Sequence, residues 1–438
     1  MDTANDKALQ RFAELMIEKI QQVENNWQKP WFSTKGVGLP QNISGRNYNG
    51  VNSFMLFLLA EKQQYSMPVY MTFMQAKEKG VSVLKGEHSF PVVYWNFNVK
   101  DKNGKKIAMD QYQNLSKDEQ ADCKVIPFMK MYNVFNVSQT NLKEINPELY
   151  GQLENRFKVP ALKDEKGMFA MPLLDVMIKE QKWVCPIYPK EGDHAYYAHG
   201  EKDGRIVIPL KGQFQDGESF YSSLLHEMAH STGEAHLLNR ERGAIFGDKK
   251  YAKEELVAEL TAATTGHVMG ISTCIREENA MYLQNWLSAL KEDPKFIYSI
   301  LLDVGKASSM IQDKSQEMLP LLSQEEKFLV GIVQENKELL NDLKKEGFFP
   351  TPELMERIDS AHLSEEIKEH LNQHFGITAK PEFGQYTLED VMANVDMRKM
   401  YLKDMTEMNL EINDRTANDW MKSYQERKTM NQDFSNGL

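Results

Sequence analysis

Cysteine is scarce in this chain: Cys123, Cys185 and Cys274 are the only three in 438 residues. They are odd in number, widely separated and form no C-x-x-C pair, which argues against a disulfide framework and against a cysteine metal knuckle. Buried, reduced thiols are the expectation. Long apolar runs are also missing. With no stretch of about 18 consecutive apolar residues, and with Asp2, Asp6 and Lys7 where a signal core would stand, neither membrane insertion nor Sec-type export is expected. The expected location is therefore the cytoplasm, with no membrane partner. No internal repeat or low-complexity tract occurs. Positive charge is in deficit, the formal net charge being -11, which at first sight disfavours a nucleic-acid binder.

The charge is unevenly spread. Between Trp27 and Lys106 eleven lysines and arginines face four carboxylates, whereas Ser315 to Leu438 holds fourteen against twenty-four. The average thus hides a basic N-terminal module and an acidic tail. Hydrophobic residues make up 41% and aromatics 10% of the chain, a globular composition, and the length predicts two or three domains.

Apolar positions Leu9, Phe12, Leu15, Met16, Ile20 and Val23 recur at helical spacing and predict an amphipathic first helix. Glycine-broken, aromatic-rich segments follow. Further helices are expected over Ser53 to Lys62 and Thr72 to Lys79. The run F-P-V-V-Y-W-N-F-N-V before D-K-N-G reads as a strand entering a hairpin, with a return strand at Pro127 to Val137 after a polar insertion around Asn114 to Asp122. The middle of the chain is mixed and contains a good short strand, G-R-I-V-I-P-L, at Gly204 to Leu210. Helical periodicity dominates from Tyr251 to Gln312, and the acidic tail is expected to be helical with breaks at its prolines. The fold class is α+β. Three domains are expected: residues 1–140, residues 141–314 with a small sheet and a histidine-bearing helix, and an acidic tail, residues 315–438, with no assignable chemistry.

The most specific chemical signal is L-L-H-E-M-A-H-S-T-G. On a helix, His226 and His230 at i and i+4 share a face and can hold one metal ion, with Glu227 beside a metal-bound water. A hydrolytic zinc site needs a third protein ligand. Y-A-K-E-E-L-V-A-E-L offers Glu254, Glu255 and Glu259. The assignment favoured is Glu255 as ligand and Glu259 as the group that orients a histidine ring, with Glu254 as the alternative ligand because helix phase is not fixed by sequence. Such a site would carry zinc, or another divalent transition metal, with Glu227 as the catalytic base of a peptidase. The strand just upstream is placed to take an extended peptide as an added strand.

In the N-terminal module Trp27, Trp31, Phe32, Asn42, Arg46, Tyr48 and Asn52 mix aromatic, amide and basic groups. Lys85, His88 and the strand with Tyr94, Trp95 and Phe97 extend the set. Single-stranded nucleic acid is bound in this manner, bases stacking on rings while cations neutralise phosphates. The DNA-contact candidates are Trp31, Asn42, Arg46, Tyr48, Asn52, Lys85 and Trp95.

These motifs together resemble one family, the ArdC-type antirestriction proteins of conjugative plasmids and mobile elements. The N-terminal resemblance rests on W-Q-K-P-W, P-Q-N-I-S-G-R-N-Y-N-G-V-N, T-F-M-Q-A-K-E-K-G-V-S-V-L-K-G-E and V-V-Y-W. The rest lies in I-V-I-P, Y-S-S-L-L-H-E-M-A-H-S-T-G, L-N-R-E, Y-A-K-E-E-L-V-A-E-L and A-M-Y-L-Q-N-W-L. It covers roughly residues 8–312. The resemblance implies a domain that binds single-stranded DNA, a zincin-like metallopeptidase domain, and a role in shielding incoming DNA from host restriction during conjugation. Beside single-stranded DNA, a restriction-system protein or a peptide substrate is the candidate partner. The chain departs from the family at Gly204, where members often have an acid. Two other readings stay open: a zinc-containing, non-catalytic protein that binds DNA or protein, and a general cytosolic metallopeptidase.

Overall fold

The computed structural model describes residues 4–25, 30–32, 38–108, 122–200, 204–241, 249–274, 282–292, 295–377, 388–393 and 395–408, with scattered positions from 111 to 120 and at 412, 417, 420, 421 and 424. The fold is α+β, and the chain divides into two compact units, Met1–Lys327 and Phe328–Leu438.

The first unit begins with α1 (Ala4–Asn25), whose Phe12, Leu15, Met16, Ile20 and Val23 are all buried. Their spacing of three and four residues gives the helix one apolar face. Helix α2 (Val51–Gln63) is buried from Val51 through Leu59, as expected of a helix that is apolar all round. Thr72 and Gln75 form a reciprocal capping box at the start of α3 (Phe73–Glu78), which satisfies two backbone N–H groups that the first turn leaves over.

Five strands form the first sheet: β1 (Gln41–Asn42), β2 (Val69–Thr72), β3 (Phe90–Lys100), β4 (Lys106–Ile107) and β5 (Lys124–Asn136), in the order β1-β2-β5-β3-β4. Strands β3 and β5 pair antiparallel over their length, from Phe90 opposite Val134 to Lys100 opposite Lys124. The return strand therefore starts three residues before its expected beginning. At the D-K-N-G turn, Asp101 Oδ1 accepts the N–H groups of Asn103 and Lys105, and Gly104 takes a φ of +78°. Only glycine adopts that left-handed conformation without a steric penalty.

After α4 (Pro147–Arg156) and α5 (Pro172–Lys179), a second sheet carries β6 (Ile187–Pro189), β7 (Tyr196–Ala198) and β8 (Arg205–Ile208), in the order β6-β8-β7. Strand β8 lies parallel to β6 and antiparallel to β7. This overturns the expectation that β8 receives an added peptide strand, because both of its edges are already hydrogen-bonded. Among the described residues, the unpaired edges of this sheet belong to β6 and β7.

Helix α6 (Gly217–Thr232) starts at Asp216, whose side chain accepts the Ser219 N–H at 2.7 Å. It packs against α7 (Lys249–Met269) and α9 (Lys295–Gln316), and α7 also packs on α8 (Leu283–Glu292). One apolar core runs through all of this: Phe12, Trp31, Phe54 and Val92 from the N-terminal region join Leu256, Leu260, Trp286 and Ile300. The two chemical halves read from the sequence thus share a single interior within this unit.

The second unit is helical where it is described, continuing from α10 (Gln324–Val333) through α11 (Lys337–Lys345), α12 (Pro352–Glu356), α13 (Glu365–Phe375), α14 (Leu388–Ala393) and α15 (Val395–Met408). Phe328 packs on Phe348 and Phe375, and Val391, Tyr401, Met405 and Trp420 make a separate cluster.

Leu256 is fully buried in the shared core. Leu256→Ala should cost about 2–5 kcal/mol through lost burial and the cavity left behind. Hydrogen exchange read by mass spectrometry should then show lost protection in β3 and β5 as well as in α7. Loss confined to α7 would mean that the halves unfold separately.

Candidate metal centre

Helix α6 carries both histidines and α7 carries the acids. The helical rise between positions four apart stacks His226 over His230, their rings 4.7 Å apart. Their Nε2 atoms stand 3.0 Å from each other. Glu255 of α7 faces both: Oε2 is 3.4 Å from His226 Nε2 and Oε1 is 3.6 Å from His230 Nε2. Among the described residues these three form the group able to hold a metal ion, their ligand atoms all within 4.8 Å of one another.

The donor set fits a divalent cation. Two imidazole nitrogens 3.0 Å apart beside a carboxylate are placed to share one cation as ligands. Metal–nitrogen bonds of about 2.0–2.1 Å in a tetrahedral site put adjacent ligand atoms about 3.3 Å apart, close to the spacing seen. His226 Nδ1 is buried without a hydrogen bond, and Glu259 Oε1 stands 3.6 Å from it. Glu254 faces Nδ1 of His230 at 3.3 Å. Each histidine ring therefore has a carboxylate on its far side.

Electrostatics follow from this crowding. Burial pushes the His230 pKa down, but Glu254 and Glu255 outweigh it and raise it to about 10. Burial pushes Glu254 up, and Arg240 and His230 reverse that, holding it at about 2. For Glu255 burial is again the largest influence, and the two histidines more than offset it, leaving the carboxyl well below its ordinary range. Tyr251, one turn before Glu255, hydrogen-bonds to it, and burial together with that carboxylate drives the phenol upward.

The structure places the sequence candidates as follows. His226, Glu227, Glu255 and Glu259 are each 6% exposed or less, on two packed helices. Glu254, weighed as an alternative ligand, instead lies beside His230 Nδ1 and Arg240. Arg240 and Tyr251 escaped sequence reasoning; Arg240 is marked there only by the L-N-R-E motif. Continuing H-E-x-x-H by x-x-G-x-x-H would nominate His236 as third ligand, as in metzincins. Here His236 is exposed, and Glu255 completes the group.

The N-terminal candidates divide sharply. Trp31 is fully buried, Tyr48 is 5% exposed with its ring edge against Tyr70, and Asn52 is 8% exposed. The Asn52 amide accepts from the Val93 N–H at 2.8 Å and donates to the Val93 carbonyl, pairing a backbone group rather than facing solvent. A base cannot stack on these groups, which serve the interior. Asn42 shapes a turn, its Oδ1 accepting the N–H groups of Ser44 and Arg46, both at 2.9 Å, so that Arg46 is held exposed. Lys85 is exposed. Trp95 lies on β3, but its side chain, like that of Phe97 and the whole of Trp27, falls outside the described residues. Sequence reasoning missed Tyr132 and Lys130 on the β3–β5 face: Tyr94 and Tyr132 meet edge to face at 5.6 Å, Lys130 lies 5.0 Å from the Tyr132 ring, and Arg46 acts electrostatically on Tyr94.

Comparison with known proteins finds matches to two regions of the chain. Residues 6–135 match the N-terminal domain of anti-restriction factor ArdC, and residues 181–300 match a zincin-like metallopeptidase. The chain is 28% identical over 318 residues to the DNA primase TraC of Escherichia coli, covering 71% of this chain but only 27% of the primase. It is 26% identical over 292 residues to the uncharacterized protein y4eC of Sinorhizobium fredii (strain NBRC 101917 / NGR234), covering 66% of this chain and 86% of that one. Among solved structures, the metal-free antirestriction ArdC protein from the R388 plasmid aligns with a TM-score of 0.52 and 28% identity, over 70% of this chain and 98% of that one.

Glu255→Ala should abolish stoichiometric binding of a divalent metal, and Glu259→Ala should weaken it by about 10–100-fold. Elemental analysis and calorimetric titration of the purified protein read both. Retention of full metal content by Glu255→Ala would remove it from the ligand set.

Proposed function

We propose that this chain, which matches an ArdC N-terminal domain followed by a zincin-like metallopeptidase, is an antirestriction protein that binds single-stranded DNA and hydrolyses peptide bonds at a zinc centre. The observation that carries the proposal is the convergence of His226, His230 and Glu255, with Glu227 buried in the same helix.

The mixed nitrogen and oxygen donors favour zinc among the common divalent ions. When bound, zinc would supply Lewis acidity toward a peptide carbonyl and make water a better nucleophile near neutral pH. Glu227 follows His226 directly and is 2% exposed. It takes the proton from the attacking water and returns it to the leaving amine. Tyr251 keeps its proton and holds Glu255 by a hydrogen bond. The Tyr197 hydroxyl of β7 donates to Glu234 at 2.6 Å, tying an unpaired sheet edge to the segment just after the histidine helix. A substrate backbone would pair along that edge.

The DNA reading rests on the β3–β5 face. Tyr132 offers an exposed ring to a base, while Lys130 and Arg46 neutralise phosphates. Burial of Trp31 and Tyr48 shifts the reading from the loop aromatics to this face and keeps Arg46 and Lys85 as cations. Protection of incoming DNA in a conjugative or plasmid setting, inside the cytoplasm, is the biological role that this pairing suits. A restriction-system protein is the peptide substrate proposed. The domains proposed are residues 1–140 for DNA, 141–314 for metal and 315–438 as an acidic tail.

Glu227→Gln should keep metal and DNA binding while peptide hydrolysis falls by at least a hundredfold; undiminished turnover would sink the catalytic assignment. With the full chain, affinity for a single-stranded oligonucleotide should fall steeply as salt rises. Lys130→Gln should reduce the slope of log affinity against log salt by about 0.7, and Tyr132→Ala should cost about 1–3 kcal/mol at any salt. A fluorescence-anisotropy titration in which neither change has an effect would remove DNA from this face.

A further inference from the structure

Arg240 lies outside both helices that carry the metal ligands, yet its side chain is only 3% exposed. Among the described residues, its polar contacts run to Glu254 and to the last turn of the histidine helix. Nε donates to Glu254 Oε2 at 2.9 Å and Nη2 donates to Glu254 Oε1 at 2.7 Å, a fork on a single carboxylate. Nη1 donates to Thr232 Oγ1 at 2.7 Å, and Nη2 also donates to the Ala229 carbonyl at 2.8 Å. Ala229 and Thr232 flank His230 in the last turn of α6. A single guanidinium thus joins the end of the histidine helix to α7, and the carboxylate it grips is the one facing His230 Nδ1.

We infer that Arg240 is a positioning residue for the metal ion, acting through Glu254 to fix the ring of His230 with Nδ1 outward and Nε2 toward the ion. The inference rests on the reading of this site as a metal centre. Outer partners that orient a ligating histidine typically matter about 10–100-fold in metal affinity. Planar fork geometry is what the position requires. A lysine supplies the charge but cannot bind two carboxylate oxygens, a hydroxyl and a carbonyl together. Simple electrostatics point the other way, since removing a cation beside the site should strengthen binding of a positive ion. The sign of the effect therefore separates positioning from charge.

The test measures Zn2+ affinity of the full chain by competition with a chromophoric chelator, for the natural protein, R240Q, R240K, E254Q and the double variant R240Q/E254Q. Melting of the metal-free forms is followed in parallel. Expected are losses of about 10–100-fold for R240Q and E254Q, a comparable loss for R240K, and a double variant no weaker than the weaker single one, because both changes break one relay. Affinity of R240Q within twofold of the natural protein, or tighter, overturns the inference, as do losses that add in the double variant. A purely structural role would lower the metal-free melting temperature and leave affinity unchanged, which also overturns it. If R240Q does not fold, R240K and E254Q decide by the same criteria. Failure of the natural protein to bind Zn2+ would defeat the metal-centre reading itself, an outcome distinct from a failure of Arg240 alone.

Discussion

Four glutamates buried on two packed helices constrain the rest of this structure. Glu227, Glu254, Glu255 and Glu259 are each 6% exposed or less. An ionised carboxylate removed from water is costly unless it is paired. Arg240 and His230 supply part of the compensation, the latter shifted to about 10 by the acids around it. His226, His230 and Glu255 remain as the group that a divalent cation would join. Close packing of α6 on α7 serves the core and the charge balance together, and neither helix could turn about its axis without exposing one or stranding the other.

The same helix α7 has a second face. Leu256, Val257, Leu260 and Ala263 lie among the acids in sequence but point into the core shared with α1, α2 and the first sheet. Farther along, His267 packs against Phe32 and Phe57 with ring centroids 5.2 and 4.5 Å apart. A backbone bridge between Pro30 and Cys274 and the bond from the Trp31 N–H to the Thr273 carbonyl stitch the N-terminal segment to the loop after α7. The buried tryptophan that looked like a base-stacking platform is part of this seam.

What could be read from the sequence was local. Spacing of four between His226 and His230, and of four between Glu255 and Glu259, fixes which side chains share a helical face, and apolar periodicity anticipated the amphipathic α1. The partner of Glu254 could not be read this way, because Arg240 reaches it across a loop and no periodicity connects them. Aromatic residues misled for a related reason: composition shows that Trp31, Tyr48 and Tyr132 are present but not which of them faces solvent. Burial was decided by long-range packing, with β5 arriving from across an insertion to set Tyr132 outside. Strand order was equally hidden, since β7 precedes β8 in the chain yet lies beyond it from β6.

The common interior of Met1–Lys327 bears on how such a protein is inherited. Proteins built of independent modules exchange them by recombination in linkers, where few contacts are lost. A crossover falling between β5 and β8 of this chain would leave α1 and α2 without α8 and α9, the helices that cover them. The alignment with the primase runs over 318 residues and spans 27% of that far longer chain. Genetic exchange would be expected to move the two matched regions together, as a cassette with its boundaries outside the core.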